Sequence, residues 1–319
     1  MKTPKTAKGT QRRKIRMIPI CVQTGGMEEL LGIDGAYKAI KEAGFDGVDA
    51  NVDHLMAYRD ILEKKHVPAF DAEGDELLQY FKPWKDAAEK YGLDNSQAHA
   101  PFPSYLADGG EYNDYLLKML EKTIIGCDYM GCHRLIIHPF YNQYKDAVTP
   151  EEEWKVNIES YAKLIPAARK HHVIICLENM FVGYKGKMYA ACCSDFETAC
   201  KYIDTLNEMA GEKLFGFCLD TGHALLVAKD IKQVICQLGD RIEALHTHDN
   251  NGITDQHLAP YMGILDWNRF VEGLKEIHFN KPLSFETFNA VRVFDPELAP
   301  EVLRLIAKTG RMFTRRIEG

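Results

Sequence analysis

The stretch CLDTGHALL, residues 218–226, places Asp220 at the end of an apolar run and His223 three positions later. Ionisable side chains stand in the same way at or just after the ends of other apolar runs. The full set has nine members, namely His99, His138, Glu178, Asp220, His223, His246, Asp255, His257 and Glu286. Carboxylates and imidazoles of this kind can bind a metal ion, contact substrate hydroxyl groups or transfer protons.

A shared metal ion is the simplest reason for so many ionisable residues to converge. One histidine or glutamate at a strand end is most often structural, but each further charge taken out of water costs several kcal/mol. A divalent cation would remove that cost. Mixed carboxylate and imidazole ligands suit transition metals better than Ca²⁺. We expect Mn²⁺, with Co²⁺, Mg²⁺, Fe²⁺ and Zn²⁺ as alternatives.

The apolar runs that precede these residues alternate with helical patterns along the chain. Eight runs read as strands, at residues 15–23, 47–52, 95–102, 133–140, 173–180, 214–222, 242–250 and 282–288. Eight segments read as helices, at residues 35–44, 77–92, 112–131, 151–172, 195–211, 231–240, 266–277 and 297–310. Continuous apolar strands indicate burial on both faces, which is typical of a parallel sheet covered by helices.

Eight strand-and-helix units in about 300 residues predict an α/β fold of the closed (β/α)8 (TIM) barrel type. An open doubly wound sheet would normally offer a GxGxxG turn after its first strand, and QTGGMEELLG does not match that motif. No composition shift divides the chain. We therefore predict a basic tail over residues 1–15 and one catalytic barrel domain over residues 16–319, with the catalytic residues at the carboxyl ends of the strands.

Composition predicts a cytoplasmic protein without a membrane or nucleic-acid partner. The nine cysteines form no CxxC pair, which is typical of a reducing compartment. No apolar stretch is long enough for a membrane span, and we take QRRKIR as part of the tail rather than as a twin-arginine export signal. Seven basic residues lie in the first sixteen, and the remaining 32 Lys and Arg face 46 Asp and Glu. A body this acidic repels a phosphate backbone.

Four motifs carry a family resemblance: LEN on the fifth strand, DTGH at the end of the sixth, HTHDNNGITDQHL from the end of the seventh and SFETF at the eighth. In this order and placement they resemble the xylose-isomerase-like TIM barrels, a superfamily of sugar (phosphate) isomerases and epimerases that also includes zinc-dependent abasic-site endonucleases. The resemblance covers the chain after about residue 15.

The resemblance to the sugar epimerases implies one metal site made of Glu178, Asp220, His246 and Glu286. Both His246 and His248 lie in HTHDN. The family pattern places the ligand three residues before the aspartate of DN, which selects His246. The resemblance also implies that the remaining site residues bind substrate hydroxyl groups or move protons: His99, His223, Asp255 and His257, with His138.

The endonuclease resemblance draws all nine residues into a set of ligands for three metal ions. Two observations weigh against DNA repair. The body is acidic, and no cluster of Lys, Arg and aromatic residues follows the strands where a DNA-binding loop would lie.

The sequence departs from the family in two places. Ketose 3-epimerases of this type have an arginine shortly after the histidine of the seventh strand, where this chain has Asn250 and Asn251. Their PGxGxI turn appears here as APYMGILDW, with Tyr261 in the first glycine position. Both departures concern the substrate and the loop over it.

Isomerising or epimerising a sugar requires the removal of a proton α to a carbonyl, and the resulting enediolate needs stabilisation by a Lewis acid such as a divalent ion. Glu178 and Glu286, from strands three apart on the predicted barrel, are our candidates for removing and returning the proton. Metal coordination lowers the basicity of a carboxylate, so His138 is the alternative base.

We therefore predict a metal-dependent isomerase or epimerase acting on a sugar or sugar phosphate, and other functions stay open. A lyase or dehydratase on a keto sugar or keto polyol would use the same proton abstraction. An example in the superfamily is the large subunit of bacterial C-glycoside deglycosidases, which works with a smaller partner subunit. The remaining alternatives are the endonuclease and a non-catalytic sugar-binding module, and an isomerase could form a homo-oligomer.

Aromatic residues just past strand ends could wall a sugar pocket by stacking on its apolar face. These are Phe102, Phe140, Tyr141 and Phe181, of which we select Phe140 as a substrate-binding residue.

Overall fold

The structure, a computed structural model, describes residues 17–140 and 148–319. It confirms the predicted (β/α)8 barrel, a single α/β domain whose eight parallel strands form one sheet. The strands are β1 (Ile20–Gln23), β2 (Gly47–Asn51), β3 (Asp94–His99), β4 (Arg134–Ile137), β5 (Ile174–Glu178), β6 (Phe215–Asp220), β7 (Ile242–His246) and β8 (Leu283–Phe285). The predicted basic tail, residues 1–15, lies outside the described residues.

Each strand pairs with its neighbours in the chain, and β8 pairs with β1, so the order is β8-β1-β2-β3-β4-β5-β6-β7. The gap between β7 and β8 is bridged by two backbone hydrogen bonds just past β7. The amide of Thr247 donates to the carbonyl of Ser284 at 3.0 Å, and the amide of Glu286 donates to the carbonyl of Thr247 at 3.2 Å. These bonds complete the ring at the end of the barrel where the predicted site residues lie.

Eight long helices of the described residues surround the strands, as the alternation in the sequence predicts. They are α1 (Gly25–Ala43), α2 (Gly74–Tyr91), α3 (Tyr112–Tyr129), α4 (Pro150–His171), α5 (Phe196–Ala210), α6 (Ile231–Leu238), α7 (Trp267–Glu276) and α8 (Ala299–Glu318). No helix in the described part of the chain is long and apolar enough to cross a membrane.

Short elements lie in several of the loops that connect the strands and the long helices. Four short helices span Tyr58–Leu62, Pro68–Asp71, Thr221–Leu226 and Phe288–Arg292, and 3-10 turns span Val52–Leu55, Gly239–Arg241 and Pro296–Leu298. A hairpin of Phe181–Tyr184 and Lys187–Ala190 follows β5. Its two-residue turn has positive φ at both Lys185 and Gly186, the conformation that suits a tight hairpin.

The first helix begins ten residues earlier than the sequence pattern predicts. Residues from Gly25 are already helical, and α1 is kinked at Gly32, where φ is +68°. The kink interrupts the apolar periodicity, so the pattern shows only the second half of the helix. The early start places Glu28 and Glu29 directly beyond the carboxyl end of β1.

A layer of small and apolar side chains closes the barrel beneath the site. Ile136, Cys176, Cys218 and Ala244, from β4 to β7, are fully buried against one another. Side chains two residues apart on a strand point to the same side. The next inward positions on these strands are therefore those of His138, Glu178, Asp220 and His246, which explains why four ionisable residues share one mouth of the barrel.

Helices α2 and α3 approach closely at a glycine. A Cβ atom added to Gly126 of α3 would overlap the ring of Phe81 on α2, a side chain that is fully buried. The absence of a side chain at Gly126 is thus what allows these two helices to pack.

We predict that Gly126→Ala lowers the free energy of unfolding by about 1 to 2 kcal/mol, because the overlap outweighs the better helix propensity of alanine. Urea denaturation followed by circular dichroism would measure this change. Combining it with Phe81→Leu should cost less than the sum of the two single changes, since leucine leaves room for the methyl group. A Gly126→Ala protein as stable as the wild type would contradict this packing.

Candidate functional site

Glu178, Asp220, His246 and Glu286 form the deepest group of the site. Each offers a ligand atom within 4.8 Å of the others, and all four residues are buried. Strand pairing produces part of this proximity, because Asp220 on β6 and His246 on β7 are direct partners in the sheet. The structure thus brings together the four residues that the epimerase resemblance implies as metal ligands.

The ring of His246 points its Nδ1 atom at the three carboxylates. Nδ1 lies 2.9 Å from Glu178 Oε1, 3.5 Å from Glu286 Oε2 and 3.9 Å from Asp220 Oδ2. On its other side Nε2 lies 3.2 Å from the fully buried Asp49. Burial opposes a charged imidazole, but the surrounding carboxylates hold the pKa of His246 well above its ordinary value.

A second group consists of His99, His138 and Glu178. Glu178 is shared with the first group: its Oε2 atom lies 3.2 Å from His138 Nε2 and 3.8 Å from His99 Nε2. Burial lowers the pKa of His138 below its ordinary value, whereas the Glu178 carboxylate outweighs burial and raises that of His99. An imidazole that stays neutral can accept a proton, which fits the predicted role of His138 as an alternative base.

A third group consists of His223, His248, Asp255 and His257. Asp255 Oδ2 lies 2.8 Å from His257 Nε2 and 3.4 Å from His223 Nε2. Burial disfavours the charged ring of His223, but Asp220 and Asp255 raise its pKa to about 10. Three of the four residues are those that the sequence selects as substrate-binding.

His248 is a site residue that the sequence analysis passed over in favour of His246. It is fully buried and its Nε2 lies 2.9 Å from Asp220 Oδ2. Gly222 of the DTGH motif makes room for it, because a Cβ atom there would overlap the His248 ring. The motif HTHDN could have identified His248, because its two histidines are two residues apart and point to the same side of an extended chain.

Two of the histidines are oriented by backbone carbonyls. Nδ1 of His99 donates to the carbonyl of Ala100 at 2.8 Å, and Nδ1 of His223 donates to the carbonyl of Asn179 at 2.8 Å. Each Nε2 is left facing the ionisable groups. This is the arrangement that holds metal-binding histidines in proteins.

The residues present fit a divalent cation. Several fully buried polar atoms of the three groups have no hydrogen-bond partner: Glu178 Oε2, His246 Nε2, His248 Nδ1, Asp255 Oδ1 and Glu286 Oε2. Buried polar atoms are rarely left without a partner. Carboxylate oxygens and imidazole nitrogens at this density are the ligands of Mn²⁺, Fe²⁺, Co²⁺ or Zn²⁺.

A cavity of about 740 Å³ opens above these groups. Phe102, Phe181 and Phe288 line it together with Met180, so its walls are partly apolar. Phe102 packs on the His138 ring with centroids 4.7 Å apart, and Phe288 stacks on His257 at 4.2 Å. These rings could lie against the apolar face of a sugar.

Phe140 does not line the cavity, which corrects its selection as a substrate-binding residue. Its side chain is buried in the hydrophobic core, where it packs edge-on against Tyr161 with centroids 4.9 Å apart. Asn157 holds the Phe140 backbone through hydrogen bonds to its amide and its carbonyl, both 2.8 Å long. The other predicted aromatic of this loop, Tyr141, lies outside the described residues.

The cavity also takes residues from β1 and β2, for which the sequence analysis selected none. Gln23 and Asn51, the last residues of these strands, line it together with Glu28 and Asp53. Their position at strand ends could have identified them, but the search was for ionisable side chains and an amide is not ionisable. All eight strands therefore deliver a polar residue to one mouth of the barrel.

The APYMGILDW turn is organised by Asp249, another residue that sequence reasoning missed. Its carboxylate accepts from the amides of Tyr261 and Leu265 and from Trp267 Nε1, at 3.2, 3.0 and 2.9 Å. Tyr261, which replaces the first glycine of the family turn, has φ of +74°, a backbone conformation that favours glycine. In this turn a tyrosine therefore adopts the left-handed backbone conformation at the position of the family glycine.

Most of the chain matches a known family. Residues 37–309 fit the sequence profile described as xylose isomerase-like TIM barrel. The uncharacterized protein MJ1311 of Methanocaldococcus jannaschii is 26% identical over 212 residues, 65% of this chain and 68% of the relative. The uncharacterized protein y4fM of Sinorhizobium fredii is 40% identical, but over 72 residues that span 23% of each chain.

Solved structures share the fold. A D-tagatose 3-epimerase-like protein is 19% identical with a TM-score of 0.64, over 92% of this chain and 99% of that one. The apo form of the 3-keto-D-glucoside 4-epimerase YcjR from E. coli is 16% identical with a TM-score of 0.66, over 91% and 99%. The IOLI protein with a bound zinc atom is 19% identical with a TM-score of 0.62, over 94% and 98%. The profile match over most of the barrel shows that this chain belongs to the xylose isomerase-like TIM barrel family.

Proposed function

We propose that this protein is a divalent-metal-dependent sugar isomerase or epimerase that works by abstracting a proton α to a carbonyl. The observation that carries the proposal is the group of Glu178, Asp220, His246 and Glu286, which converges at the base of a cavity large enough for a sugar. Proteins of similar fold, among them a 3-keto-D-glucoside 4-epimerase and a D-tagatose 3-epimerase-like protein, support the same reaction class.

In this proposal, Glu178, Asp220, His246 and Glu286 hold the cation, which would supply Lewis-acid stabilisation of the developing oxyanion. Glu178 and Glu286 also reach the cavity, and the Oε2 atom of each has no hydrogen-bond partner. A carboxylate that uses one oxygen as a ligand keeps the other for the substrate. Glu178 can therefore take or return a proton at Oε2, and Glu286 at the oxygen that it does not use as a ligand. His138 Nε2, 3.2 Å from Glu178 Oε2, is the alternative base.

Polar contacts hold both glutamates in place. Gln23 Nε2 donates to Glu286 Oε1 at 3.1 Å, which leaves Oε2 for other partners. Glu178 Oε1 lies against His246, which in turn lies against Asp49. Rigid placement of this kind is what proton transfer requires, because the acid or base must sit within hydrogen-bond reach of the carbon-bound proton.

We predict that Glu178→Gln and His246→Ala each retain less than about a tenth of the wild-type metal, because each change removes a charged or nitrogen ligand from a buried site. Elemental analysis of dialysed protein would measure the content. His66→Ala, which changes an exposed histidine away from the cavity, should keep its metal. Normal metal content in both site variants would refute the proposed ligands.

We predict that the metal-loaded protein incorporates solvent deuterium next to the carbonyl of at least one keto sugar. Glu286→Gln should slow incorporation by about 10²- to 10⁴-fold, the usual contribution of a general acid or base. NMR or mass spectrometry of the recovered sugar would measure the rate, with Glu42→Gln as an exposed control. If His138→Ala abolishes exchange while Glu286→Gln retains it, His138 is the base. No exchange with any keto sugar would contradict the proposed reaction.

The second and third groups favour one alternative, a hydrolase with two or three metal ions. Both groups adjoin the first, and each contains residues within 4.8 Å of one another. Metal ions spaced a few ångströms apart are typical of enzymes that cleave phosphate esters. Against this alternative stands the acidic body of the chain, which suits a nucleic-acid substrate poorly.

We predict one tightly bound metal ion in the wild type and one in His223→Ala. The His223→Ala variant should nevertheless lose about 10- to 1,000-fold in rate or substrate affinity, the usual effect of losing a polar contact or a general acid. Asp220→Asn should lose both metal and turnover. Metal counting on all three proteins is the measurement. Two or three ions in the wild type, with fewer in His223→Ala, would overturn the mononuclear proposal and favour the hydrolase.

A further inference from the structure

The part of the cavity wall made by Gln23, Glu28, Asn51 and Asp53 is rich in hydrogen-bond acceptors. We call these four residues the acceptor wall. Gln23 is 7% exposed, and its Nε2 donates a hydrogen bond to Glu286. The Oε1 atom of the same amide has no hydrogen-bond partner. Asn51 Oδ1 is likewise buried and without a partner. A Cβ atom added to Gly25 would lie 3.0 Å from Gln23 Oε1 and 2.5 Å from Asn51 Nδ2, so the two amides meet over this glycine.

Glu28 extends the wall along α1. Its side chain is 6% exposed; Oε1 accepts from Trp84 Nε1 at 2.9 Å, and Oε2 faces His54 Nδ1 at 3.3 Å without forming a hydrogen bond. Burial raises the pKa of Glu28 to about 7 and also raises that of Asp53. Both side chains line the cavity.

Lysine and arginine side chains are scarce around the wall. Among the described residues that line the cavity, Arg292 is the one Lys or Arg side chain, and it pairs with Glu29 and lies over the Phe288 ring, 4.9 Å from its centroid. The amino terminus of α1 could otherwise attract an anion, but its first turn already carries Glu28.

We propose that the acceptor wall binds the hydroxyl groups of the substrate's far end and excludes a phosphate or carboxylate there. This inference rests on the proposed sugar isomerase or epimerase function and specifies its substrate as an unphosphorylated polyhydroxy compound. Three buried acceptor atoms without partners need donors, and a sugar hydroxyl supplies one. A phosphate offers further acceptors and negative charge next to Glu28 and Asp53, and the one Lys or Arg among the described lining residues, Arg292, is already paired with Glu29.

The test compares three ligands on the metal-loaded protein: a free ketohexose such as fructose, its 6-phosphate and its 6-amino-6-deoxy analogue. Calorimetry measures binding, and deuterium incorporation from solvent measures turnover. The wall predicts that the phosphate binds at least about 100-fold more weakly than the free sugar, since placing like charges together costs several kcal/mol. The amino analogue should bind at least as tightly as the free sugar, because its ammonium group can only donate, and markedly weaker binding of this analogue would contradict the acceptor wall.

Two variants locate the effect. Glu28→Gln keeps an acceptor for Trp84 but removes the charge that the carboxylate carries above its pKa of about 7. At about pH 8.5 it should therefore reduce the discrimination against phosphate by tenfold or more. Asn51→Ala should weaken the binding of the free sugar by about tenfold, the scale of a lost hydrogen bond. Glu42→Gln, on the exposed face of α1, is the matched control and should change neither quantity.

The outcomes separate this proposal from the function on which it rests. Tighter binding or faster exchange of the phosphate overturns the acceptor wall and leaves the isomerase proposal standing. Binding of the free sugar without deuterium exchange keeps the wall and overturns the proposed function. If none of the three ligands binds, both proposals fail.

Discussion

Glu178, Asp220 and Glu286 carry their carboxylates into one buried space, and His246 is the imidazole that meets all three. Like charges at this distance repel strongly away from water, so the arrangement exists only if positive charge lies among them. In the metal-free protein a proton on His246 supplies part of that charge, as the direction of its pKa shift indicates. A divalent cation would supply more, and its binding would stabilise the folded protein by mass action.

The rest of the barrel can be understood as the support of this charged group. Small side chains such as Cys176, Cys218 and Ala244 close the barrel below it and keep water from entering there. Parallel register aligns the strand ends, and the bonds around Thr247 close the ring at that same level. Gln23 and Asp49 then hold the outer sides of Glu286 and His246, so each charged residue has a fixed neighbour.

Much of this could be predicted from the sequence, because strand ends are read directly from the boundary between an apolar run and a polar residue. That rule placed Glu178, Asp220 and His246 at one rim without any knowledge of their contacts. It failed for Phe140, since the direction of a side chain in a loop depends on packing that the pattern does not contain. It also passed over Gln23, whose role becomes visible only when Glu286 and α1 are seen beside it.

The family resemblance and the structure emphasise different parts of the site. Motifs such as DTGH and HTHDN carry the ligands, whereas the acceptor wall comes from β1, β2 and α1, where no motif was recognised. The kink at Gly32 hides α1 from the helical pattern, so Glu28 could not be placed in the cavity from sequence. The proposed metal ligands therefore come from motifs in the second half of the chain, whereas the proposed acceptor wall comes from the first.

We propose that Glu178, Asp220, His246 and Glu286 together bind one divalent cation. Anomalous X-ray diffraction from crystals grown with Mn²⁺ tests it most directly, because it locates the ion without assuming a substrate. We predict a dominant peak at about 2.0 to 2.3 Å from one atom of each of these four residues, the usual range for such ligands. A dominant peak between His223, Asp255 and His257, or none within reach of His246, would contradict it.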